Sequence, residues 1–193
     1  MPTLSARFAA TRRGARARRS TKDGDARETL CYAFADTSVG RFFAVQSEKG
    51  LVALRMAPDG DGRAVAEFRK QFQDAELVED RSLACLITDA VDCYLVGKPT
   101  PSLKLDLRGT PFQLRVWQEM QRIPHGQTIT YTELARRAGK PRAVRAAGTA
   151  CGQNPVGILV PCHRVVAKDG KLGGYYWGLD VKERLLEIEA GQS

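Results

Sequence analysis

Val156-Gly157-Ile158-Leu159-Val160 runs directly into Pro161-Cys162-His163-Arg164, so an apolar segment ends beside a thiol and an imidazole. An apolar run stopped by proline is typical of a buried strand, and we expect Cys162 and His163 to follow the end of one. A cysteine on so stiff a support becomes a nucleophile when a neighbour removes its proton, and histidine is the usual base. In an isolated Cys-His pair the cysteine is more often a small core residue and the histidine a surface one. The flanking sequence must therefore decide.

Short motifs surround this site on both sides. They are Phe112-Gln113, Val116-Trp117, Ile123-Pro124-His125-Gly126, Thr130-Tyr131, Leu134-Ala135, Gly139-Lys140-Pro141, Arg145-Ala146, Asn154-Pro155, Val165, Gly174-Tyr175, Lys182 and Leu185-Leu186. In order and spacing the chain resembles the O6-alkylguanine-DNA alkyltransferases, most densely from Thr110 to Glu189. A weaker resemblance to the alkyltransferase half of the bacterial adaptive-response protein reaches back to about Leu30. Residues 1–27 share neither.

The resemblance implies an α/β (α+β) fold with two domains. Residues 28–107 would form a small ribonuclease H-like domain, and residues 108–193 a winged-helix-like, helix-turn-helix domain that carries the alkyltransferase site. Residues 1–27 contain five clustered arginines between positions 12 and 19 and little apolar material, so we expect a disordered basic tail. Such a start is also typical of a mitochondrial transit peptide, and a DNA-tethering arm or a plain linker fits equally well.

Residue patterns predict the small domain independently. Apolar runs at 30–35, 41–46 and 51–56 alternate with turn residues, the spacing of a β-meander. Helical periodicity follows at 65–72 and again at 83–94. The alternating leucines of 103–107 then predict a further strand.

The second half is patterned as helices joined by short turns. Thr130-Tyr131-Thr132-Glu133 predicts a capping box at the start of a helix that Gly139 ends, and Pro141 predicts the start of another over residues 142–153. Two short helices around a glycine turn are typical of a helix-turn-helix. The second helix is small-sided. Its alanines either pack against the core or, as the resemblance implies, let the helix lie along the DNA minor groove.

Composition and charge limit the class of protein. The chain is 43% hydrophobic, and no apolar run approaches the roughly 18 residues of a membrane span, so we expect a soluble protein with no membrane partner. Five cysteines without a Cys-x-x-Cys pair argue against a disulfide framework and a zinc cluster, and favour a reducing compartment.

The net charge of +8 is unevenly distributed along the chain, because residues 1–27 and 108–193 each carry +6 whereas 28–107 carries −4. Positive charge on the motif-bearing half indicates an anionic partner such as nucleic acid.

The resemblance assigns the chemistry to Cys162, His163 and Glu189. Cys162 would accept the alkyl group from O6 of guanine, or from O4 of thymine, as a stable thioether. His163 would act on Cys162 as general base through a water, with Glu189 orienting the imidazole. The sequence supports Glu189 independently, since four and eight residues after Leu185 and Val181 it falls on the apolar face of the last helix, where an unpaired carboxylate is costly. An exposed glutamate at a helix end is the alternative.

The resemblance also assigns contacts with DNA. A base within a duplex must be flipped out to reach a buried thiol. Arg145 would fill the gap in the stack, and three further residues would lie against the DNA: Thr130, Ala143 and Ala146. Tyr131 would hydrogen-bond the guanine ring, although a core tyrosine with its hydroxyl at the surface is the ordinary alternative. Asn154 would hold the catalytic turn.

The base pocket would be walled by Tyr175, Tyr176, Trp177, Val165 and Gly157. Several family members have small residues at positions 176 and 177, and some have proline at 157, so the width of the pocket is in question while the chemistry is not. The adaptive-response branch shares the tryptophan. Its cysteine-rich zinc module is not found in these residues, so we do not expect regulation by self-methylation.

Three other functions fit the sequence less well. A non-catalytic alkyltransferase-like lesion-binding protein would flip the base without transfer, but such proteins lack the acceptor cysteine. A helix-turn-helix transcription factor does not explain Glu189, Asn154 and the Pro-Cys-His-Arg run together, and nothing indicates the cleft of a cysteine peptidase. We therefore predict a monomeric DNA repair protein, cytoplasmic and nucleoid-associated, that acts without cofactor or metal on double-stranded DNA containing O6-alkylguanine.

Overall fold

The computed structural model describes residues 27–168 and 170–191, which adopt a mixed α and β fold. The basic tail up to residue 26 lies outside the described residues, and so does the prediction made for it. Within the described part there are six α-helices, a four-stranded sheet and a two-stranded sheet. None of the helices described is long and apolar enough to cross a membrane.

A four-stranded sheet forms the first half of the protein. Strands β1 (Glu28–Thr37), β2 (Gly40–Ser47) and β3 (Gly50–Met56) make an antiparallel meander, which confirms the prediction from the apolar runs. A fourth strand, β4 (Ala75–Glu79), pairs in parallel with β1 and gives the order β3-β2-β1-β4. Strand β4 was not predicted, because it is an edge strand of only five residues with no fully buried side chain.

Two helices cover opposite faces of this sheet. Neighbouring residues of a strand point to opposite faces, so Phe42 and Phe43 of β2 enter different cores. Helix α1 (Asp61–Gln71) packs its buried Phe68 into the cluster around Phe43. Helix α2 (Ser82–Leu95) buries its apolar side in the cluster that contains Phe42. Both helices were predicted from their periodicity.

The core beneath α2 is shared with the second half of the chain. Phe42 belongs to the same buried cluster as Trp117 of α3 (Pro111–Gln121) and Leu185 of α6 (Leu179–Ala190). Helix α3 begins at a complete capping box formed by Thr110 and Gln113, with proline at its first position. The second half of the chain is therefore packed directly on the sheet.

The segment that joins the halves is not the strand predicted at 103–107. Leu105 forms one isolated bridge with Leu51, whose amide donates to Lys104 O at 2.8 Å and whose carbonyl accepts from Asp106 N at 2.9 Å. The alternating leucines are instead partly buried against the core as the chain passes the sheet. Their period thus reflects burial of one side of an extended linker.

The helix pair of the second half is present with shifted bounds. Helix α4 (Tyr131–Arg137) is capped by Thr130, whose Oγ1 accepts from Glu133 N at 3.1 Å. The Glu133 side chain does not return the bond predicted for a capping box and pairs with two arginines of its own helix. Helix α5 (Val144–Gly152) starts later than predicted, because Pro141 lies in a turn closed by Ala143 N and Lys140 O.

The apolar run 156–160 was predicted as a strand, and this is wrong. It is a buried turn in which Val160 N donates to Val156 O at 3.1 Å and Gly157 N donates to Leu54 O of β3 at 2.9 Å. The turn is apolar because it lies between the sheet and the helices, and a short apolar run reports burial without specifying a strand.

Candidate active site

Asn154 braces the turn that carries the candidate nucleophile. Its Nδ2 donates to Val160 O at 2.7 Å, and its Oδ1 accepts from Val156 N at 3.1 Å. Between them Ile158 has a φ of +67°, a conformation that a β-branched residue adopts only when its surroundings impose it. The turn is thus held from inside, and it delivers Cys162 at a defined position.

Cys162 opens a single 3-10 turn, Cys162–Arg164. Burial raises the pKa of its thiol above the ordinary value. Four groups oppose this effect: the amide of Asn154, the ammonium of Lys182, the hydroxyl of Tyr175 and the backbone of Cys162 itself. Because the effect of burial is larger than that of the opposing groups, the thiol is protonated in the resting protein. Nucleophilic attack therefore needs a base that removes the proton.

The candidate base is the imidazole of His163, the next residue in the chain. The ring is fully buried, and its Nε2 lies 2.8 Å from Glu189 Oε1. Burial lowers the pKa of His163 in spite of the carboxylate, so the ring is neutral near pH 7. A proton on Nε2 that donates to Glu189 leaves Nδ1 as an acceptor, and Nδ1 has no hydrogen-bond partner among the described residues.

Glu189 is ionised although it is buried. Burial by itself would raise the pKa of this carboxyl, but hydrogen bonds from His163 and Arg164 outweigh burial and lower the pKa to about 2. Arg164 Nε lies 3.1 and 2.9 Å from the two carboxylate oxygens, and Nη2 lies 2.8 Å from Oε1. Gly126 N donates to Oε2 at 3.2 Å. The carboxylate predicted on the apolar face of the last helix therefore has its partners.

Sequence reasoning gave no role to Arg164 or Lys182, and both are buried parts of the site. Lys182 Nζ donates to Val165 O at 2.6 Å and to Leu172 O, and it lies about 6 Å from the ring centre of Tyr131. A signal was available, because Lys182 falls on the same apolar face of α6 as Leu185 and Glu189. A lysine on a buried face needs fixed acceptors.

Two tyrosines border the thiol. Tyr131, at the start of α4, is half-buried, and its hydroxyl lies 3.4 Å from Gly174 O. Gly173 has a φ of +68°, and a β-carbon there would lie 2.9 Å from the Tyr131 ring, so this close approach requires glycine. The Tyr175 hydroxyl is buried, faces Cys162, and makes no hydrogen bond of good geometry with the described residues.

Trp177 is packed within the protein. Its ring meets Phe42 of β2 edge-on at a centroid distance of 5.7 Å and Tyr175 at 5.5 Å, and it covers the backbone of Gly157. Tyr176 turns to the other side of the sheet, beside a small cavity of about 50 Å³ that Arg55 also lines. The segment after Gly174 is therefore anchored on the sheet of the first half.

The residues expected at DNA lie together on the helix pair. Arg145 and Ala146 are exposed at the start of α5, and Ala143, which precedes that helix, is half-buried. Thr130 is the half-buried cap of α4. Among the residues that the structure describes, the Arg145 side chain makes no hydrogen bond or ion pair. Ala147 and Ala150 of α5 face the core instead, so the small side chains serve both packing and the outer surface.

Val165 directly follows the 3-10 turn that carries Cys162. It is buried in β6 (Val165–Val166), which pairs in parallel with β5 (Ile129–Thr130). No group of histidine, cysteine, aspartate or glutamate in the described part of the chain is arranged to hold a metal ion. The described residues offer a thiol followed by an imidazole that contacts a carboxylate, an arrangement suited to nucleophilic attack by sulfur.

Comparison with known proteins gives consistent similarities. The family model for the DNA-binding domain of 6-O-methylguanine DNA methyltransferase matches residues 111–191. The chain is 41% identical over 160 residues to the Escherichia coli bifunctional transcriptional activator/DNA repair enzyme Ada, covering 82% of this chain and 45% of Ada. It is 39% identical over 161 residues to the methylated-DNA–protein-cysteine methyltransferase of Methanosarcina barkeri, covering 83% and 97% of the two chains.

The fold is also similar to a solved structure. The Mycobacterium tuberculosis OGT in complex with DNA aligns with a TM-score of 0.69 at 35% identity, over 86% of this chain and 94% of that one. The chain spans about half the length of the Ada protein that it matches and nearly the whole length of the archaeal and mycobacterial proteins.

Proposed function

The chain belongs to the methylated-DNA–protein-cysteine methyltransferase family, and on that premise we propose that it repairs DNA by moving the alkyl group from O6 of guanine to its own Cys162. The observation that carries the proposal is the series Cys162, His163, Glu189, in which a buried, ionised carboxylate orients a buried, neutral imidazole whose neighbour in the chain is a half-buried thiol. Catalytic thiols of other protein classes use the same logic.

The proposed reaction begins with removal of the thiol proton. Nδ1 of His163 takes the proton from Cys162 through one water, and the resulting imidazolium is stabilised by Glu189. The thiolate sulfur then attacks the alkyl carbon, the S–C bond forms as the C–O6 bond breaks, and the electron pair leaves with guanine. In this proposal Tyr131, whose ring lies about 6 Å from the Lys182 ammonium, hydrogen-bonds the departing guanine ring.

We further propose that α5 presents the protein to DNA. A flipped base requires a side chain that fills the gap in the stack, and Arg145 is exposed and uncommitted among the described residues. Exposed Ala146 beside it lets the helix approach a narrow groove. This corresponds to a winged-helix-like, helix-turn-helix domain that follows a ribonuclease H-like domain, and O4 of thymine would reach the same pocket.

The pocket walls proposed for the flipped base are Tyr131 and Tyr175 at the thiol, with the backbone of residues 174–176 opposite. Gly157 lies within the turn that precedes Cys162, where Trp177 covers it, and Val165 is buried directly after the 3-10 turn. A non-catalytic lesion-binding protein would have no use for a thiol with its own base and carboxylate. That alternative is therefore disfavoured.

Intact-mass spectrometry after incubation with a duplex that contains O6-methylguanine tests the proposal. We expect one methyl-sized increase in mass for each chain, located on the peptide that contains Cys162. The Cys162→Ala variant should bind the duplex and gain no mass. The unmodified duplex is the control. An unchanged mass of the parent protein, or equal labelling of Cys162→Ala, would exclude the proposed transfer.

A further inference from the structure

A tyrosine of the first half touches the charge network of the active site. The ring centre of Tyr94, at the end of α2, lies 4.9 Å from Arg164 Cζ. Arg164 is buried and holds both oxygens of Glu189 on its other edge. An aromatic face is a favourable surface for a guanidinium that has left water. The first half of the chain thus supplies one of the groups that pack against the Arg164 guanidinium.

The same end of α2 supports a second contact with that network. His125 Nε2 lies 2.9 Å from Leu95 O, which attaches the turn around His125 to α2. Ile123 O of this turn accepts from Arg164 Nη1 at 2.7 Å, and Gly126 N donates to Glu189. Arg164 is therefore fixed from two directions, by the tyrosine ring and by the turn.

The position of Arg164 bears on the charge of His163. The charged groups that act on His163 are Glu189 and Lys182 from α6 and Arg164 from its own turn, and only Glu189 favours the imidazolium. Other titratable groups near the network are Cys162 in the same turn, Tyr94 on α2 and Tyr175, whose hydroxyl faces Cys162. If Arg164 moved away, the charge of Glu189 would act on His163 without its counter-ion. The ring would then be protonated at higher pH.

We propose that Tyr94 is a positioning residue for alkyl transfer, whose ring holds Arg164 against Glu189 so that His163 stays neutral and able to accept the Cys162 proton. The effect passes from Tyr94 through Arg164 and Glu189, and it gives the first half of the chain a direct part in the chemistry. The inference rests on the proposed function. It names a residue outside the half that carries the nucleophile.

Single-turnover methyl transfer from an O6-methylguanine duplex, followed from about pH 5.5 to about pH 9, tests the inference. In the parent, the rate should fall at low pH as His163 becomes protonated; this fall is the acid limb of the pH–rate profile. In Tyr94→Leu, which removes the aromatic face, the acid limb should move to higher pH. At pH values within the acid limb, the rate of the variant should be about threefold or more below that of the parent, and at higher pH the two rates should converge. Tyr94→Phe keeps the face and should follow the parent. Tyr32→Leu, the same change in the other core cluster, should leave the limb in place.

An NMR titration of the ring provides a readout that needs no transfer. The chain has two histidines, so His163 and His125 can be distinguished, and Tyr94→Leu should raise the titration midpoint of His163 alone. If Tyr94→Leu does not fold, Tyr94→Met fills similar volume without a ring face and should give the same shift. An unchanged midpoint, or a rate reduced equally at every pH, would overturn the role of Tyr94. Absence of transfer by the parent would instead count against the proposed function.

Discussion

The ring of Trp177 occupies the space that a side chain on Gly157 would need. A β-carbon built at position 157 would lie 2.0 Å from the Cη2 atom of the indole, and the ring is backed by Phe42 at 5.7 Å, so it has little room to retreat. The tryptophan at 177 and the glycine at 157, where other family members have small residues and proline, are thus one feature. A large residue at 177 requires glycine at 157.

We expect Gly157→Ala to destabilise the fold. The added methyl must displace a packed indole, and overfilling a core typically costs about 1–3 kcal/mol. Urea unfolding measures the loss. Trp177→Gly in the same chain should remove the clash, so the double variant should lose less stability than the two single changes added together.

Gly152→Ala is the matched control for this change. Gly152 ends α5, and a β-carbon there meets nothing within 4 Å. The free energy of unfolding of Gly152→Ala should therefore equal that of the parent or be slightly higher. Equal unfolding free energies for Gly157→Ala and Gly152→Ala would show that the indole does not restrict position 157.

Trp177 also tests the width of the base pocket. Its ring stacks edge-on against Tyr175 beside the thiol, so Trp177→Gly should open space there and speed reaction with O6-benzylguanine by roughly tenfold or more. Methyl transfer should change less, because the smaller group needs no extra room. The ratio of the two rate constants is the measurement.

Phe42→Leu is the control for the pocket experiment, because it loosens the far side of the same ring without opening the side that faces Tyr175. Thermal unfolding must show that each variant is folded. If the benzyl-to-methyl ratio of Trp177→Gly equals that of the parent, the indole is packing and not a pocket wall.

Stability should fall as the pH is lowered. Burial lowers the pKa of His163, so the unfolded chain binds that proton more tightly and stability declines below about pH 6.5. The pKa of Glu189 is about 2 in the folded protein against an ordinary 4.5, because its hydrogen bonds outweigh burial. Its contribution, about 3 kcal/mol, is present above pH 4.5 and is lost as the pH falls toward 2.

Urea unfolding at several pH values checks this linkage. Glu189→Gln should flatten the dependence on pH below about pH 4.5, where Glu189 titrates, and leave the part due to His163 in place. It should also cost about 3–5 kcal/mol near pH 7, since it leaves buried Arg164 without its counter-ion. Glu183→Gln, an exposed position on the same helix, should do neither. Identical pH slopes for the two variants would contradict the assignment to Glu189.

Sequence patterns predicted the meander and its two helices because each buries one regular face against the sheet. The same reasoning mistook residues 156–160 and 103–107 for strands. Both segments are apolar because they are buried, yet their backbones bond to single residues of a neighbouring strand, Leu54 and Leu51. Periodicity records which side chains avoid water, and it does not record where the backbone finds its partners.

Position along the chain was enough to single out Glu189, since a carboxylate on an apolar helix face requires partners. Arg164 as the main partner could not be predicted, because it depends on how α6 crosses the catalytic turn. The role proposed for Tyr94 could not be predicted from the sequence either. Its contact with Arg164 exists only because α2 and the second half share one core.

Arg145 should matter for base flipping and little for the chemistry. Arg145→Ala removes an exposed guanidinium at the start of α5 and should slow transfer from a duplex far more than transfer from free O6-methylguanine. Arg81→Ala removes a highly exposed arginine from the first half and controls for the loss of one charge. Equal slowing of Arg145→Ala on both substrates would exclude a role in flipping.

The protein should act once. Methyl transfer converts the Cys162 thiolate to a thioether, which is a poor leaving group, and His163 and Glu189 offer no second nucleophile that could remove the methyl group. Product formed from excess O6-methylguanine duplex should therefore stop at one equivalent of protein, in a burst without a later steady phase. Protein methylated beforehand should still bind DNA and show no burst. Continued demethylation well beyond one equivalent, by protein whose mass shows a single population of free thiol, would contradict the irreversible mechanism.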